Sequence, residues 1–373
     1  MTTVKTTTDI IYKNIGAVAI AILLSLPSLS GQEYTKRIEK SYKVNNSTTV
    51  DVINKYGKIH VVTWEKDSVR FDIRLKIKAS SDSRLNKLKN TIDFDFTGTE
   101  YYVVAKTRIG TNSGAIFSDL ADIAGSLMPS DNKVTIDYIV MMPRHINLKL
   151  ENKFGDVYID DLDGNIRLTL SNGELKANEL TGNTIISLSS ADAVINSVKD
   201  GKISVSYSNF HVKTVDKLII DSRSSVINIE KAGFLKITSR RDKFHLPEIS
   251  ELYGESYFSN FTLHNLQKEM NFNLKYGNLS VEEISRGFSF IQVVSEYTDL
   301  DLVFARGATY EIDITHHNDV IFNYPMQLAN LQTKVINPDE KQKLTYGRIG
   351  TAGASSKVKI YAPKKCTINI FHK

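Results

Sequence analysis

Three arginines form the first arrangement of residues in this sequence that could do chemistry. Arg223 and Arg240 are 17 residues apart, and Arg241 follows directly. Because the surrounding sequence repeats with that period, the first two should lie on neighbouring turns, where like charges repel unless an anion or a carboxylate lies between them. One interpretation is an anion patch for an acidic sugar. The alternative, which we favour from the sequence, is that Asp221 and Asp242 pair with the arginines.

Aromatic side chains recur at one position of the same repeat. Phe258, Tyr276 and Tyr297 each stand three residues before the first apolar residue of a copy. Rings stacked along one ridge could form a platform for sugar rings or for another chain. The alternative is that the rings only stabilise a backbone corner. The same position holds a ring elsewhere in the chain, at Tyr56, Phe154, Tyr207 and His317.

Acidic residues cluster at one corner, where Asp160, Asp161 and Asp163 precede Gly164. A calcium-binding EF-hand loop needs ligands at alternate positions and a Glu at the twelfth position, where this sequence has Leu170. The motif therefore fails. We favour a solvated turn, with a looser calcium site as the alternative.

The histidines do not form a metal site by their spacing. His316 and His317 are adjacent, so on a strand they point to opposite faces. His211 and His245 fall in one outward column two copies apart, which is about 9.6 Å at the usual strand spacing. That distance is too long for a shared ion, and we interpret these residues as surface histidines.

Motifs for catalysis are missing from the sequence. It contains no nucleophile elbow, Walker loop, zinc-ligand spacing or dinucleotide fingerprint. Gly57 and Lys58 lack the preceding glycine pattern of a phosphate-binding loop. We therefore predict no catalytic residue, no metal and no cofactor, and we expect a protein that is not an enzyme.

A repeat must position these candidates. Val157 is followed by Ile159 two residues later and by Leu162 five residues later, and this trio returns at intervals of 17–21 residues. A fixed internal offset with a nearly fixed period indicates a repeat array. The further copies are Leu175/Ala177/Leu180, Ala193/Ile195/Val198, Phe210/Val212/Val215, Ile227/Ile229/Ala232, Phe244/Leu246/Ile249, Phe261/Leu263/Leu266, Leu279/Val281/Ile284, Leu300/Leu302/Ala305 and the partial copy Val320/Phe322.

Each copy contains two short strands joined by corners. The step of two residues is the strand period. Gly, Ala, Ser, Asp or Asn stands just before most trios, and such residues tolerate a left-handed backbone, so we place the left-handed corner there. A second apolar run follows, as at Leu168, Ile186 and Ile203 and later at Phe288/Phe290. Since neither strand can bury its apolar face alone, the copies must stack. The pattern predicts an all-β, single-chain parallel β-solenoid of about ten coils, roughly 50 Å long, with its handedness left open.

The remaining regions differ from the repeats. Residues 54–61 repeat residues 152–159 almost letter for letter, but residues 31–150 otherwise read as long strands, one short helix near 81–90 and a loop at 111–133. We predict that 31–150 forms a cap on one end of the repeats at 151–325. Residues 326–373, with strands at Val358/Ile360 and Ile368/Ile370, are predicted to form a basic cap on the other end.

The first thirty residues have the form of a secretory signal peptide. Lys5 and Lys13 precede an apolar run at 15–26, and small residues follow it. The run is shorter than the about 20 residues that span a bilayer, which favours a cleaved signal peptide. An uncleaved anchor is the alternative. If the signal is cleaved, the protein contacts the membrane only before cleavage. Cys366 is the single cysteine and cannot form an internal disulfide.

The distribution of charged residues bears on which partners the protein can bind. The formal net charge is +5, and basic residues outnumber acidic ones from Lys334 onward. A basic end could meet anionic lipid or polysaccharide. We favour the alternative that lysines protect an exposed sheet edge from pairing with other chains. Because no basic stripe with interleaved aromatic residues is present, we expect no nucleic-acid partner.

Three stretches together resemble a known bacterial family. They are NKYGKIHV at 54–61, IDYIVMMP at 136–143 and NKFGDVYI at 152–159, after an export signal. The sequence resembles the putative-adhesin, β-strand-repeat domain family of unknown function, which is related to head-GIN domains, over roughly residues 40–325. The resemblance implies a parallel β-solenoid at the cell envelope or surface. It carries no catalytic residues over to this chain.

From these observations we expect an exported, non-enzymatic β-solenoid that presents a repetitive surface for adhesion or binding at the cell envelope. Its partner would be an envelope or extracellular protein or a polysaccharide, and its compartment the periplasm, the outer membrane or the cell surface. A polysaccharide-acting enzyme and an envelope assembly or signalling component are the alternatives.

Overall fold

The computed structural model describes residues 32–110, 133–351, 353 and 355–373. Its α-helix α1 spans Asp82–Thr91, and a short 3₁₀ helix spans Met326–Leu328. The strands are β1 Gln32–Lys43, β2 Thr49–Lys55, β3 Ile59–Trp64, β4 Ser68–Ala79, β5 Ile92–Gly98, β6 Tyr102–Ile109, β7 Lys133–Pro143, β8 Asn147–Lys153, β9 Val157–Ile159, β10 Ile166–Ser171, β11 Glu174–Ser189, β12 Asp192–Ser206, β13 Asn209–Arg223, β14 Val226–Arg240, β15 Lys243–Ile284, β16 Phe290–Phe304, β17 Tyr310–His317, β18 Ile321–Asn323, β19 Ala329–Asn337, β20 Gln342–Ile349, β21 Ser356–Ala362 and β22 Thr367–His372.

The chain is all-β, and its strands form one large, mostly parallel sheet. Equivalent residues of successive copies pair in register, as the repeat predicts: Val157 with Leu175, then Ala193, Phe210, Ile227 and Phe244. The second apolar run pairs in the same way, in the order Leu168, Ile186, Ile203, Ile220 and Ile237.

These paired residues form continuous buried columns. The residues between them along each strand are mostly exposed. Full burial of one Val, Leu, Ile or Phe side chain contributes about 1.5–3 kcal/mol. No copy can gain this energy alone, because the partner surface belongs to the next copy.

The N-terminal region adds one more copy and then changes direction. Ile59 pairs with Val157 and Asn54 with Asn152, so the two similar stretches lie side by side. Beyond them, β6 pairs with β2 and β7 with β3, while β4 pairs antiparallel with β1 and β7. The helix α1 begins after Ser81, whose side chain accepts a hydrogen bond from the backbone N–H of Arg84 at 3.3 Å.

Two sequence predictions fall outside the described residues. They are the signal peptide at 1–30 and nearly all of the loop at 111–133. None of the helices in the described ranges has the length and apolar character that a membrane crossing requires.

The C-terminal strands lie elsewhere than predicted. Strand β21 pairs in parallel with both β16 and β17, and β22 pairs with both β16 and β18. The tail is therefore inserted between the copy at Leu300 and the partial copy at Val320. The outer position is taken by β20, which pairs antiparallel with β17, and by β19, which pairs with β20.

Two predicted core positions near this end also differ. Opposite Ile284, the structure places Phe304 rather than Ala305. In the second run of the same copy, Ile291 and Val293 are buried and pair with Met270 and Phe272, whereas Phe290 is half-buried. Residues that pair in these copies, such as Met270 and Ile291, are 21 positions apart, which explains the second difference. A register shift between Val281 and Ile284 explains the first.

Candidate functional site

A column of left-handed residues forms one corner of the repeats. In each copy except the partial one at Val320, the residue three positions before the trio has a φ between 51° and 66°. The corner is where the sequence predicts it, but the left-handed residue stands at least one position before the predicted Gly and Asx positions. The column consists of Tyr56, Phe154, Asn172, Ser190, Tyr207, Ser224, Arg241, Phe258, Tyr276 and Tyr297.

In several copies the residue after the left-handed residue is Gly, because the backbones approach closely there. A Cβ on Gly155 would lie 2.0 Å from the carbonyl oxygen of Gly57, and one on Gly173 would lie 2.2 Å from that of Gly155. In later copies Ser takes this position and uses its hydroxyl. The Ser208 hydroxyl accepts a hydrogen bond from the backbone N–H of Ala191 at 3.0 Å and donates one to the Ser206 carbonyl at 2.8 Å.

Asp242 takes the same position as the serines and is 2 % exposed. Its carboxylate accepts hydrogen bonds from the hydroxyls of Ser222 and Ser239, both at 2.7 Å. It also accepts the backbone N–H groups of Ser225 at 2.8 Å and of Arg240 at 3.0 Å. With four donors, the buried carboxylate is satisfied without an ion pair.

The predicted aromatic residues stack and face solvent. The ring centroids of Phe258 and Tyr276 are 4.6 Å apart at 9°, and those of Tyr276 and Tyr297 are 5.3 Å apart at 2°. Their exposed fractions are 53 %, 37 % and 46 % in chain order. We call Phe258, Tyr276 and Tyr297 the aromatic ridge.

The three arginines continue the same edge, and we call them the arginine patch. Arg223 pairs with Arg240 on neighbouring strands, as the spacing predicts. Arg241 precedes Phe258 in the corner column, and its guanidinium carbon lies 6.0 Å from the centre of that ring. The guanidinium of Arg223 lies at the same distance, 6.0 Å, from the ring of Tyr207.

Carboxylates do not neutralise the arginine patch. In the described part of the chain, none of its guanidinium groups pairs with Asp221 or Asp242, so the neutralisation favoured from the sequence is not found. The physical reason is that the Asp242 carboxylate already accepts hydrogen bonds from the nearby serines. At the ridge, Lys275 lies 3.1 Å from Glu296, and this hydrogen bond raises the pKa of Lys275. Positive charge without an acidic partner is thus concentrated at the patch.

Sequence reasoning missed one neighbouring residue. Tyr257 pairs with Arg240 across the strands and is exposed, so it extends the edge beside the ridge. The signal was present, since Tyr257 is 17 residues after Arg240. At the other end of the column, Tyr56 and Phe154 stack at 5.6 Å, with the Lys55 ammonium 4.7 Å from the Tyr56 ring.

The acidic corner is engaged by protein groups. Asp163 binds the Arg144 guanidinium at 2.6 Å and accepts the Thr181 hydroxyl at 2.7 Å, and these contacts lower the pKa of Asp163. Asp161 accepts a hydrogen bond from Asn178.

The histidine pairs lie on the strands as their spacing predicts, but the interpretation as surface histidines is wrong for His316, which is buried. His211 and His245 lie two copies apart, on either side of Asn228. His316 is buried near the Thr345 hydroxyl, while the ring of His317 contacts Asp319. Across residues 32–110 and 133–373, as far as they are described, no three His, Cys, Asp or Glu side chains are grouped to hold a metal ion.

Several solved structures are similar to the chain at low sequence identity. A "putative lipid binding protein" from Parabacteroides distasonis is 11 % identical, with 68 % of this chain and 95 % of that chain covered and a TM-score of 0.36. A "putative adhesin" from the same organism is 10 % identical, with 74 % and 94 % covered and a TM-score of 0.34. A "putative adhesin" from Bacteroides fragilis is 14 % identical, with 72 % and 95 % covered and a TM-score of 0.29.

The names of these proteins agree with the adhesin-type resemblance of the sequence. At such TM-scores the similarity is too distant to carry an inference about this chain's activity. No protein-family model matches the chain, and no curated protein matches it.

Proposed function

We propose that this protein is an exported, non-enzymatic β-solenoid that binds an acidic polysaccharide at the cell envelope along its corner edge. The observation that carries the proposal is the exposed aromatic ridge directly beside the arginine patch. Aromatic faces pack against sugar rings, and guanidinium groups bind carboxylates in a planar, two-pronged geometry. Both features follow one edge at the strand spacing of about 4.8 Å, so a linear polymer could contact several copies.

The solenoid form of the proposal is supported by the register of the repeats. The trio residues, the second apolar run and the left-handed corner each form a column over successive copies. One left-handed residue per copy turns the chain at the same place each time, which a coil of constant cross-section requires. The export part is supported by the apolar segment at 15–26 behind two lysines.

Binding rather than catalysis is supported by the surroundings of the arginines. A lyase or hydrolase needs a carboxylate, hydroxyl or imidazole group free to move a proton near the bound sugar. Among the carboxylates beside the arginines, Asp242 is buried and accepts four hydrogen bonds, so its carboxylate cannot reach a ligand.

The proposal is tested by titrating the full chain with polygalacturonate, using dextran as the uncharged comparison. We expect binding to polygalacturonate that weakens as salt rises, because exposed charges are screened. Arg240→Ala should weaken binding about tenfold or more, since it removes a charge-assisted hydrogen bond. Tyr276→Ala should weaken it through the loss of ring stacking. Arg167→Ala, an exposed arginine on β10 away from the corner, is the matched control and should leave affinity unchanged.

Each alternative function has its own outcome in this experiment. If the wild-type protein cleaves the polymer and Arg240→Ala does not, the protein is a polysaccharide-acting enzyme and the binding proposal is wrong. Absence of polysaccharide binding, together with one envelope protein that co-purifies in defined stoichiometry, would favour an assembly role. If Arg167→Ala weakens binding of polygalacturonate as much as Arg240→Ala does, the affinity depends only on net charge. That result would refute the ridge and the arginine patch as the binding site.

A further inference from the structure

A second surface feature lies on the outward side of the copies that begin at Phe210, Ile227, Phe244 and Phe261. It is a groove of about 1070 Å³, here called the polar groove, and Pro247 is part of its lining. Proline has no N–H to donate. The ladder between β14 and β15 is accordingly interrupted between His245 and Glu248. The ladders between β12 and β13 and between β13 and β14 skip one pair at the equivalent place, whereas this ladder skips two.

The polar groove carries no net charge when its histidines are neutral. Lys213 and Lys231 face Glu230 and Glu248 in its lining. The Lys231 ammonium lies 2.8 Å from Glu248, and Glu230 lies 3.2 Å from the imidazole of His211. Since positive and negative groups balance and largely pair, the groove does not favour a polyanion, unlike the arginine patch.

Neutral donors and acceptors remain available in the groove. The imidazole of His245 makes no hydrogen bond or ion pair with any residue that the structure describes. Asn228 lies between His211 and His245 in the strand register, but its amide oxygen is buried and is therefore not open to a ligand. The Gln267 amide donates to Glu248 at 2.9 Å and keeps a second N–H. Such groups pair with hydroxyls, which both donate and accept.

The lining excludes two other classes of ligand. Apart from Pro247, the lining has no Phe, Tyr, Trp or aliphatic side chain that would take an acyl chain or an apolar peptide side chain. A peptide strand would need free backbone groups at a sheet edge. Strand β14 has strands on both sides and offers no such edge. We infer that the polar groove is a binding site for an uncharged oligosaccharide, separate from the ridge and its acidic polymer.

The test is calorimetric titration of the full chain with four uncharged hexasaccharides: cellohexaose, maltohexaose, mannohexaose and chitohexaose. At least one should bind, and His245→Ala and Gln267→Ala should each weaken that binding about five- to tenfold, as expected for the loss of one or two hydrogen bonds. His60→Ala is the matched control, because His60 occupies the same column position as His245 but lies outside the groove. Circular dichroism checks that each variant is folded.

Ridge variants separate the two sites. Arg240→Ala should leave binding of the hexasaccharide unchanged, so failure of the ridge proposal would not affect this one. The inference is overturned if none of the four hexasaccharides binds to the folded protein. It is also overturned if His60→Ala weakens binding as much as His245→Ala, or if Arg240→Ala abolishes it.

Discussion

Ten residues at the corner of successive copies have a positive φ; six are Phe or Tyr, and the other four are Asn, Ser or Arg. The backbone conformation is therefore imposed by stacking and not by residue preference, since only Gly, Asn and Asp adopt it readily. Other interactions at the corner offset the strain of the left-handed backbone. Phe258 and Tyr276 gain ring stacking, and the next position gains the hydrogen bonds of the serine column. The spacing of Phe258, Tyr276 and Tyr297 correctly predicted that their rings stack. The prediction from residue type, that the Gly, Asn and Asp positions are left-handed, was wrong by at least one position.

Ser190 allows this strain to be measured, because it is exposed and its hydroxyl has no hydrogen-bond partner among the described residues. Its φ is 51°. Ser190→Val should lower the free energy of unfolding by about 1–2 kcal/mol, since a β-branched residue is strongly disfavoured there. Ser190→Gly should be neutral or stabilise by up to about 1 kcal/mol. The measurement is the urea midpoint at constant m value.

The neighbouring residue provides the matched control. Ser189 is also exposed but lies at the end of strand β11. There the order should reverse, because Val favours a strand and Gly weakens it. If Val and Gly rank alike at both positions, the left-handed corner is not the source of the effect.

At the scale of elements, the C-terminal tail is part of the repeat stack and not its cover. β21 has a parallel partner on each side, so its inward residues are enclosed like those of a central copy. Ile360 pairs with Val293 on one side and with Ile314 on the other. The repeat pattern could not reveal this, because the offset of 20 residues between the copies at Leu300 and Val320 says nothing about a strand from elsewhere filling the space between them.

Insertion predicts that the tail is as stable as its neighbours. Ile360→Ala should lower the free energy of unfolding by about 2–4 kcal/mol, as expected for a buried Ile. Val335→Ala on the outer strand β19, where the side chain is exposed, should change it by less than about 0.5 kcal/mol. Hydrogen exchange should protect β21 amides as strongly as those of β16. Exchange of β21 that is faster than that of β19 would contradict the insertion.

At the scale of the whole molecule, the register follows from one rule, the offset within each trio. In the structure Ile59 pairs directly with Val157, although the two are 98 residues apart, and this extends the same register into the N-terminal region. The rule predicted that Arg223 and Arg240 would lie side by side. It could not predict that the Asp242 carboxylate would accept hydrogen bonds from Ser222 and Ser239, because side-chain hydrogen bonds depend on which groups point inward at a corner.

The same rule predicts that one copy can be removed. Deleting residues 209–225, which are 17 residues long, joins Ser208 to Val226 and brings Ala193 opposite Ile227. Every later residue keeps its face, because stacked repeats contact only their neighbours. The shortened chain should fold, with one cooperative transition and an unchanged circular dichroism spectrum per residue.

Deleting residues 210–225, which removes one residue fewer, is the matched control. It leaves an extra residue at the junction, so the side chains of the adjoining strand turn to the wrong face. This variant should aggregate or lose its thermal transition. If both deletions fold equally well, the copies are not in strict register; if neither folds, copies beyond nearest neighbours depend on one another. Either result would contradict a stack in which each corner repeats the last.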